Sequence, residues 1–317
     1  MKLVAMVAAA TVVSSLMFGC SRARQDAVLL ANEADKARKS GDKDGAIQKL
    51  TEATNLDRAN HRIWYKLSQV HRDKEDWAKM AEAAQGAIKA EEEVGKGKVT
   101  YATYYAERGY ALEKQAEKKT LSYEEAKGPY TKCIEIDPHY AACYNRLGNV
   151  YLWLDDEQKA LEFYSKAIEH NPDDLDFYPP LVDLYLTLGY PKEAESLLNE
   201  AKSRGKAGEK GLFNIHVLSA RLLQERGDVA GAAKELETAR DISKKMEESA
   251  EAVLILYNLG SVYAELARTQ GEKKQQGIEM LKGFYARACK NPAKAKLYAL
   301  ECATAKEQVS SLGGTLQ

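Results

Sequence analysis

The sequence lacks the groupings that catalysis requires. Its five histidines, His61, His71, His139, His170 and His216, are scattered. No H-E-x-x-H occurs, no C-x-x-C pair, and no Ser-His-Asp set. The glycine- and lysine-rich stretches at Gly95–Lys98 and Gly205–Gly211 lack phosphate-loop spacing and follow no strand, so they read as loops. Asp155, Asp156 and Glu157 sit where a helix begins, as solvated caps rather than a catalytic pair. These absences disfavour an enzyme, and no cofactor is called for. A charge imbalance is lacking too: 46 basic side chains face 47 acidic ones. Bulk charge therefore gives no reason to make nucleic acid, or an anionic membrane, the main partner.

The N-terminus does carry a signal. Lys2 opens it, Leu3 to Phe18 is uncharged and mostly apolar or small, and Gly19-Cys20 closes it. Sixteen such residues fall short of the ~20 a spanning helix needs, so the segment reads as a removable export signal. Leu16-Met17-Phe18-Gly19-Cys20 resembles a bacterial lipobox, with Met17 where Leu is usual. The resemblance implies residues 1–19 as signal peptide, a lipid on Cys20, and a short tether over residues 20–26. Ser21 after the cysteine implies transport to the outer membrane, the folded part facing the periplasm. The lipid would tether an otherwise soluble domain.

Export permits oxidation of the remaining cysteines. Cys133 and Cys143 flank the Asp137-Pro138 turn between antiparallel helices and can meet; Cys289 and Cys302 straddle Asn291-Pro292 less symmetrically. The alternatives are four small buried core residues, or a metal site built on Cys133, His139 and Cys143, which has three ligands and no fourth.

Repetition dominates the rest. Between Ala141 and Pro172, Tyr144, Leu147, Gly148 and Tyr151 fall at helical spacing, then Ala160, Tyr164 and Ala167 on a second helix that Pro172 ends. Small residues at 148, 160 and 167 let the two helices approach closely. Weaker copies run along most of the chain. Two of them, near Gln115–Tyr123 and Gln270–Gln276, carry about five extra residues within the hairpin. Pro179-Pro180 predicts a helix that begins late, near Tyr178.

This pattern is similar to the tetratricopeptide repeat over residues 27–290, at a period of about 34. The resemblance implies an all-α, right-handed superhelical solenoid of about seven hairpins. A capping helix and tail follow over residues 291–317, with Leu297, Leu300 and Val309 facing the last repeat. It further implies a concave groove lined by the first helix of each pair. On the best copy the lining is Asn145, Asn149, Leu152 and Trp153; on its neighbours it is Tyr65, Gln69, Tyr110, Asp183, Arg221 and Tyr257. Paired asparagines four apart suit an extended peptide backbone, and Trp153 is the favoured anchor.

The function implied is a non-enzymatic scaffold or assembly factor of the bacterial envelope, binding peptide or helix segments of envelope proteins. Its layout resembles the pilotin lipoproteins that help type IV pilus secretins assemble. A structural homo-oligomer and the metal-binding protein stand as alternatives.

Overall fold

In the computed structural model the described residues are 22–246 and 249–316. Cys20 and the apolar N-terminal segment lie outside them. The chain is all-α and divides into two compact units, one ending at His170 and the other beginning at Asn171. Among the described residues, unit 1 holds four antiparallel hairpins. They pair α1 (22–39) with α2 (Lys43–Leu56), α3 (His61–Asp73) with α4 (Trp77–Val94), α5 (Ala102–Glu117) with α6 (Glu124–Ile136), and α7 (Ala141–Trp153) with α8 (Glu157–His170). Unit 2 pairs α9 (Tyr178–Thr187) with α10 (Pro191–Arg204), α11 (Leu212–Glu225) with α12 (Val229–Ser243), and α13 (Ala250–Leu266) with α14 (Lys273–Phe284). A π turn, Tyr285–Cys289, then leads into α15 (Pro292–Leu297) and α16 (Ala299–Ser311).

The turn inside four of the seven hairpins follows one local rule. A residue in the left-handed region ends the first helix and an aspartate caps the second. Gly41 (φ 87°), Glu75 (φ 56°), Asp155 (φ 58°) and Gly227 (φ 79°) take the first role. Asp42, Asp76, Asp156 and Asp228 take the second, accepting from the backbone N–H of Gly45, Lys79, Lys159 and Gly231. The aspartate satisfies one of the orphan donors that every helix start leaves, and the left-handed residue lets backbone N–H groups turn back onto the last carbonyls of the first helix. The Asp156 N–H, for instance, donates to the Tyr151 carbonyl at 2.9 Å.

Helix pairs approach where side chains vanish. A Cβ on Gly148 would lie 2.4 Å from Cδ1 of Tyr164, and one on Gly109 would lie 2.7 Å from Cδ1 of Tyr130. Both rings are 1% exposed. The extra residues of the two long copies go partly into the first helix and partly into the turn: α5 and α13 run 16 and 17 residues against 13 for α7. Pro179 and Pro180 occupy the first turn of α9, which begins at Tyr178 after a short 3-10 turn.

Three expectations are corrected. The assigned tether is helical from residue 22, because no Gly or Pro interrupts residues 21–39 and Ala27 is already fully buried. The capping segment is two helices rather than one. It breaks at Tyr298, whose ring turns inward against Phe284 at 6.2 Å and is 9% exposed. Val309 is buried as expected, but Leu297 and Leu300 point to solvent. Finally, the metal alternative falls, because Cys133 is bonded to Cys143, and Cys289 to Cys302, the pairings that export permits. A sulfur in a disulfide offers no thiolate, so Cys133, His139 and Cys143 are not a ligand set. The described residues hold no cluster of three or more metal-ligating side chains. None of their helices is long and apolar enough to cross a membrane.

Candidate functional site

In unit 1 the inner residues of α1, α3, α5 and α7 form a ladder of charges and rings. Arg38 on α1 grips both carboxylate oxygens of Asp73, at 2.6 and 3.1 Å, and donates to Gln69 Oε1 at 3.2 Å. The bidentate bond to Asp73 raises the already high Arg38 pKa. One repeat on, Arg72 donates to Glu107 Oε1 at 2.7 Å. Arg72 and Arg146 also lie over the Tyr110 ring, each guanidinium carbon 4.7 Å from its centroid. Tyr110 is thus flanked by two cations, with Trp77 meeting it edge-on at 5.7 Å.

Glu113 anchors the next rung. Its side chain is 2% exposed and accepts from Arg146 (3.3 Å), Tyr130 Oη (2.6 Å) and Asn149 Nδ2 (3.4 Å). Burial alone would lower the Arg146 pKa, but the Glu113 carboxylate, together with the phenols of Tyr130 and Tyr110, outweighs it and raises it. Tyr130 is driven well above the usual phenol range by burial and by Glu113. Asn149 is engaged on both sides, since its Oδ1 accepts from Tyr164 Oη at 2.8 Å. It therefore holds α7 to α5 and α8. Asn145 differs: its Oδ1 is buried and has no partner among the described residues.

Likewise, Glu107 Oε2 is buried with no hydrogen-bond donor among the described residues, and burial pushes the Glu107 pKa up despite Arg72. Tyr65 and Tyr140 border this carboxylate, and burial raises both phenols. The Tyr65 ring rests on Tyr104 at 5.1 Å. Trp153 lies at the C-terminal end of α7, 61% exposed, one ring face stacked flat on Tyr123 at 5.3 Å. Leu152 beside it is 37% exposed. So Asn149, Tyr110, Tyr65 and Gln69 belong to one network, Asn145 is not tied into it, and Leu152 and Trp153 stand at the hairpin turn.

Unit 2 carries the remaining candidates. Asp183 and Arg221 pair at 2.5 Å, Arg221 reaching Glu225 as well, and Tyr257 packs on Phe284 at 5.2 Å. Two acceptors at the heart of the ladder of unit 1, Asp73 and Glu107, were missed by sequence reasoning. The signal was available: Arg38–Asp73 and Arg72–Glu107 are both 35 residues apart, one repeat plus one position.

Comparison with known proteins agrees with this architecture. The family described as "Tetratricopeptide repeat" matches residues 141–174. Mitochondrial import receptor subunit TOM70 of Rattus norvegicus is 34% identical over 101 residues, 31% of this chain. The match spans only 16% of that receptor's length. Among solved structures, the C-terminal part of a TPR repeat-containing protein from Cytophaga hutchinsonii superposes with a TM-score of 0.57 at 14% identity, covering 84% of this chain and 98% of that one. Pseudomonas aeruginosa PilF gives 0.54 at 17% identity, over 74% and 96%. PilW, described as a widely conserved type IV pilus biogenesis factor, gives 0.54 at 14%, over 73% and 98%. A repeat array of this kind presents surface for holding other proteins. The chain thus carries a tetratricopeptide repeat at residues 141–174, and its helical hairpins share the fold of tetratricopeptide repeat proteins.

Proposed function

We propose that this protein is a non-enzymatic docking scaffold of the bacterial cell envelope, held to the outer membrane by a lipid on Cys20 and facing the periplasm. A peptide or helix segment of an envelope partner lies along the ladder of unit 1, over Tyr65, Tyr110 and Asn145, with Trp153 at its edge. The observation that carries this reading is the pair of buried acceptors with no donor among the described residues, Asn145 Oδ1 and Glu107 Oε2. An unmade buried hydrogen bond costs about 1–3 kcal/mol, and a segment bringing N–H donors recovers it. The guanidinium-flanked Tyr110 supplies a rigid aromatic surface beside them. The export signal and Gly19-Cys20 support the location.

A pilotin-like role in secretin assembly is the second reading. It is supported by the layout of signal, cysteine and repeat hairpins.

The test is a cross-linking pull-down from envelope extracts, comparing the native chain with an Asn145→Ala, Trp153→Ala variant of confirmed fold. Asn149 is left in place because it bridges Glu113 and Tyr164. The scaffold reading expects a partner recovered with the native chain and lost with the variant; a secretin among the recovered proteins selects the pilotin reading. Equal recovery with both would remove the face from consideration. Separately, Cys20→Ser should release the protein from the membrane pellet. Unchanged pelleting would contradict lipid anchoring through that residue.

A further inference from the structure

Between Glu279 and Glu301 the sequence holds five cations, Lys282, Arg287, Lys290, Lys294 and Lys296, and no carboxylate. All five are exposed, and none makes an ion pair among the described residues. Elsewhere the chain does the opposite, pairing surface lysines within one helical turn, as in Lys79–Glu82, Lys114–Glu117, Lys132–Glu135 and Lys166–Glu162. Arg287 and Lys294 meet Arg240 and Lys244 around a single cleft of about 660 Å³ floored by Ala252, Val253 and Leu256. Of these four cations only Lys244 has a carboxylate partner among the described residues, Asp241 at 2.7 Å.

The same segment carries Leu300 and Leu297, 76% and 73% exposed, the two most exposed large apolar side chains among the described residues. Neither lines the cleft. Compensation of helix dipoles accounts for Arg240 and Lys282, each in the last turn of a long helix. The same holds for Arg287 in the last turn of the π segment and for Lys294 and Lys296 in that of α15, but not for Lys290 or the leucines. The Cys289–Cys302 disulfide closes the loop that contains Lys290, Lys294, Lys296 and both leucines, so their spread is restricted before anything binds.

We propose that this face docks onto an anionic lipid bilayer, its cations taking phosphate headgroups and Leu297 and Leu300 entering the boundary between headgroups and acyl chains. A fluid apolar layer demands no shape match, which suits two leucines that no pocket of the protein receives. The near-zero bulk charge conceals a local surplus large enough for such binding, since each cation near an anionic surface contributes about fivefold in partitioning. The inference stands apart from lipid attachment at Cys20 and from the ladder of unit 1.

The experiment is co-sedimentation of the full chain, in a Cys20→Ser background, with vesicles of phosphatidylcholine alone or mixed with phosphatidylglycerol. The N-terminus is common to every sample, so differences report the face alone. Binding should require phosphatidylglycerol and fade with added salt. Arg287→Glu with Lys294→Glu should weaken it roughly 25-fold or more. Leu297→Ser with Leu300→Ser changes no charge and alters only exposed positions; it should weaken binding several-fold with an unaltered melting curve. Equal binding to both vesicle types, or charge reversal without effect, would overturn the proposal. Capture of polyglutamate by a chain that ignores the vesicles would assign the face to an acidic protein segment instead.

Discussion

The substitution Gly148→Ala puts the hairpin packing to a quantitative test, because the same chemical change at Gly128 should act in the opposite direction. Both glycines lie inside helices, so alanine gains up to ~1 kcal/mol of helix propensity at either position. At Gly128 nothing lies within 4 Å of the new Cβ, and that gain should appear in full. At Gly148 the new Cβ would stand 2.4 and 2.5 Å from two carbons of the Tyr164 ring. That ring cannot yield freely: it is 1% exposed and its hydroxyl donates to Asn149, which in turn holds Glu113. Overpacking of this kind costs about 1–3 kcal/mol. Set against the propensity gain, Gly148→Ala should lose up to about 2 kcal/mol net, a fall in Tm of up to roughly 3 °C for a chain of this size. Thermal melts followed by circular dichroism read both variants. Tyr164→Leu, which removes the clashing ring carbons, should abolish most of the Gly148→Ala penalty in a double-mutant cycle. A Gly148→Ala protein as stable as the Gly128→Ala protein would refute the close approach of α7 and α8.

Loss of the Cys133–Cys143 bond by paired alanine substitution should cost about 2.5–3 kcal/mol, from the ten-residue separation it closes, read as a lowered melting temperature that reducing agent no longer affects. Glu75→Gly should stabilise the protein by roughly 1 kcal/mol, because Glu75 holds φ 56°, which glycine adopts without a Cβ clash; urea titration reads it. Arg146→Ala should cost about 3 kcal/mol or more by leaving Glu113, 2% exposed at its side chain, without its guanidinium. Glu235 contributes a pH-dependent term. Burial pushes its pKa up, yet bonds from His216 and Lys202 outweigh burial and lower it below 4.5. A depressed carboxylate stabilises the fold above its unfolded pKa, and that stabilisation is lost as pH falls through the folded value. The Tm gap between the native chain and Glu235→Gln should therefore be constant above about pH 5 and shrink below 4.5.

Hairpins were legible because their determinants are local and periodic. Gly148, Ala160 and Ala167 mark the close contact, Asp156 marks the cap, and Pro179-Pro180 fixes where α9 starts. What escaped depends on partners distant in sequence. The break at Tyr298 pays a helical connection for a ring buried on Phe284, and no periodicity announces that exchange. Trp153 was placed in the groove by its offset from the core stripe. The extra residues before Tyr123 put an aromatic face within its reach, and the repeat period contains no information about an insertion. Asn149 looked like a ligand for peptide backbone, yet Tyr164 and Glu113 occupy its amide. Glu107 and Asp73 became visible only once α3 and α5 were side by side, when charges one repeat apart turned out to be pairs.

The central claim is that a partner segment lies along the inner residues of unit 1, and site-specific photo-cross-linking tests it most directly. A photoreactive residue would be placed at Tyr65, Asn145 or Trp153, and as a control at Gln85, which lines a separate cleft with Trp64 and Lys89. In envelopes of the native host, the account predicts adducts of a single partner from the first three positions and none from Gln85. Adducts from Gln85 alone, with the three inner positions silent, would contradict it.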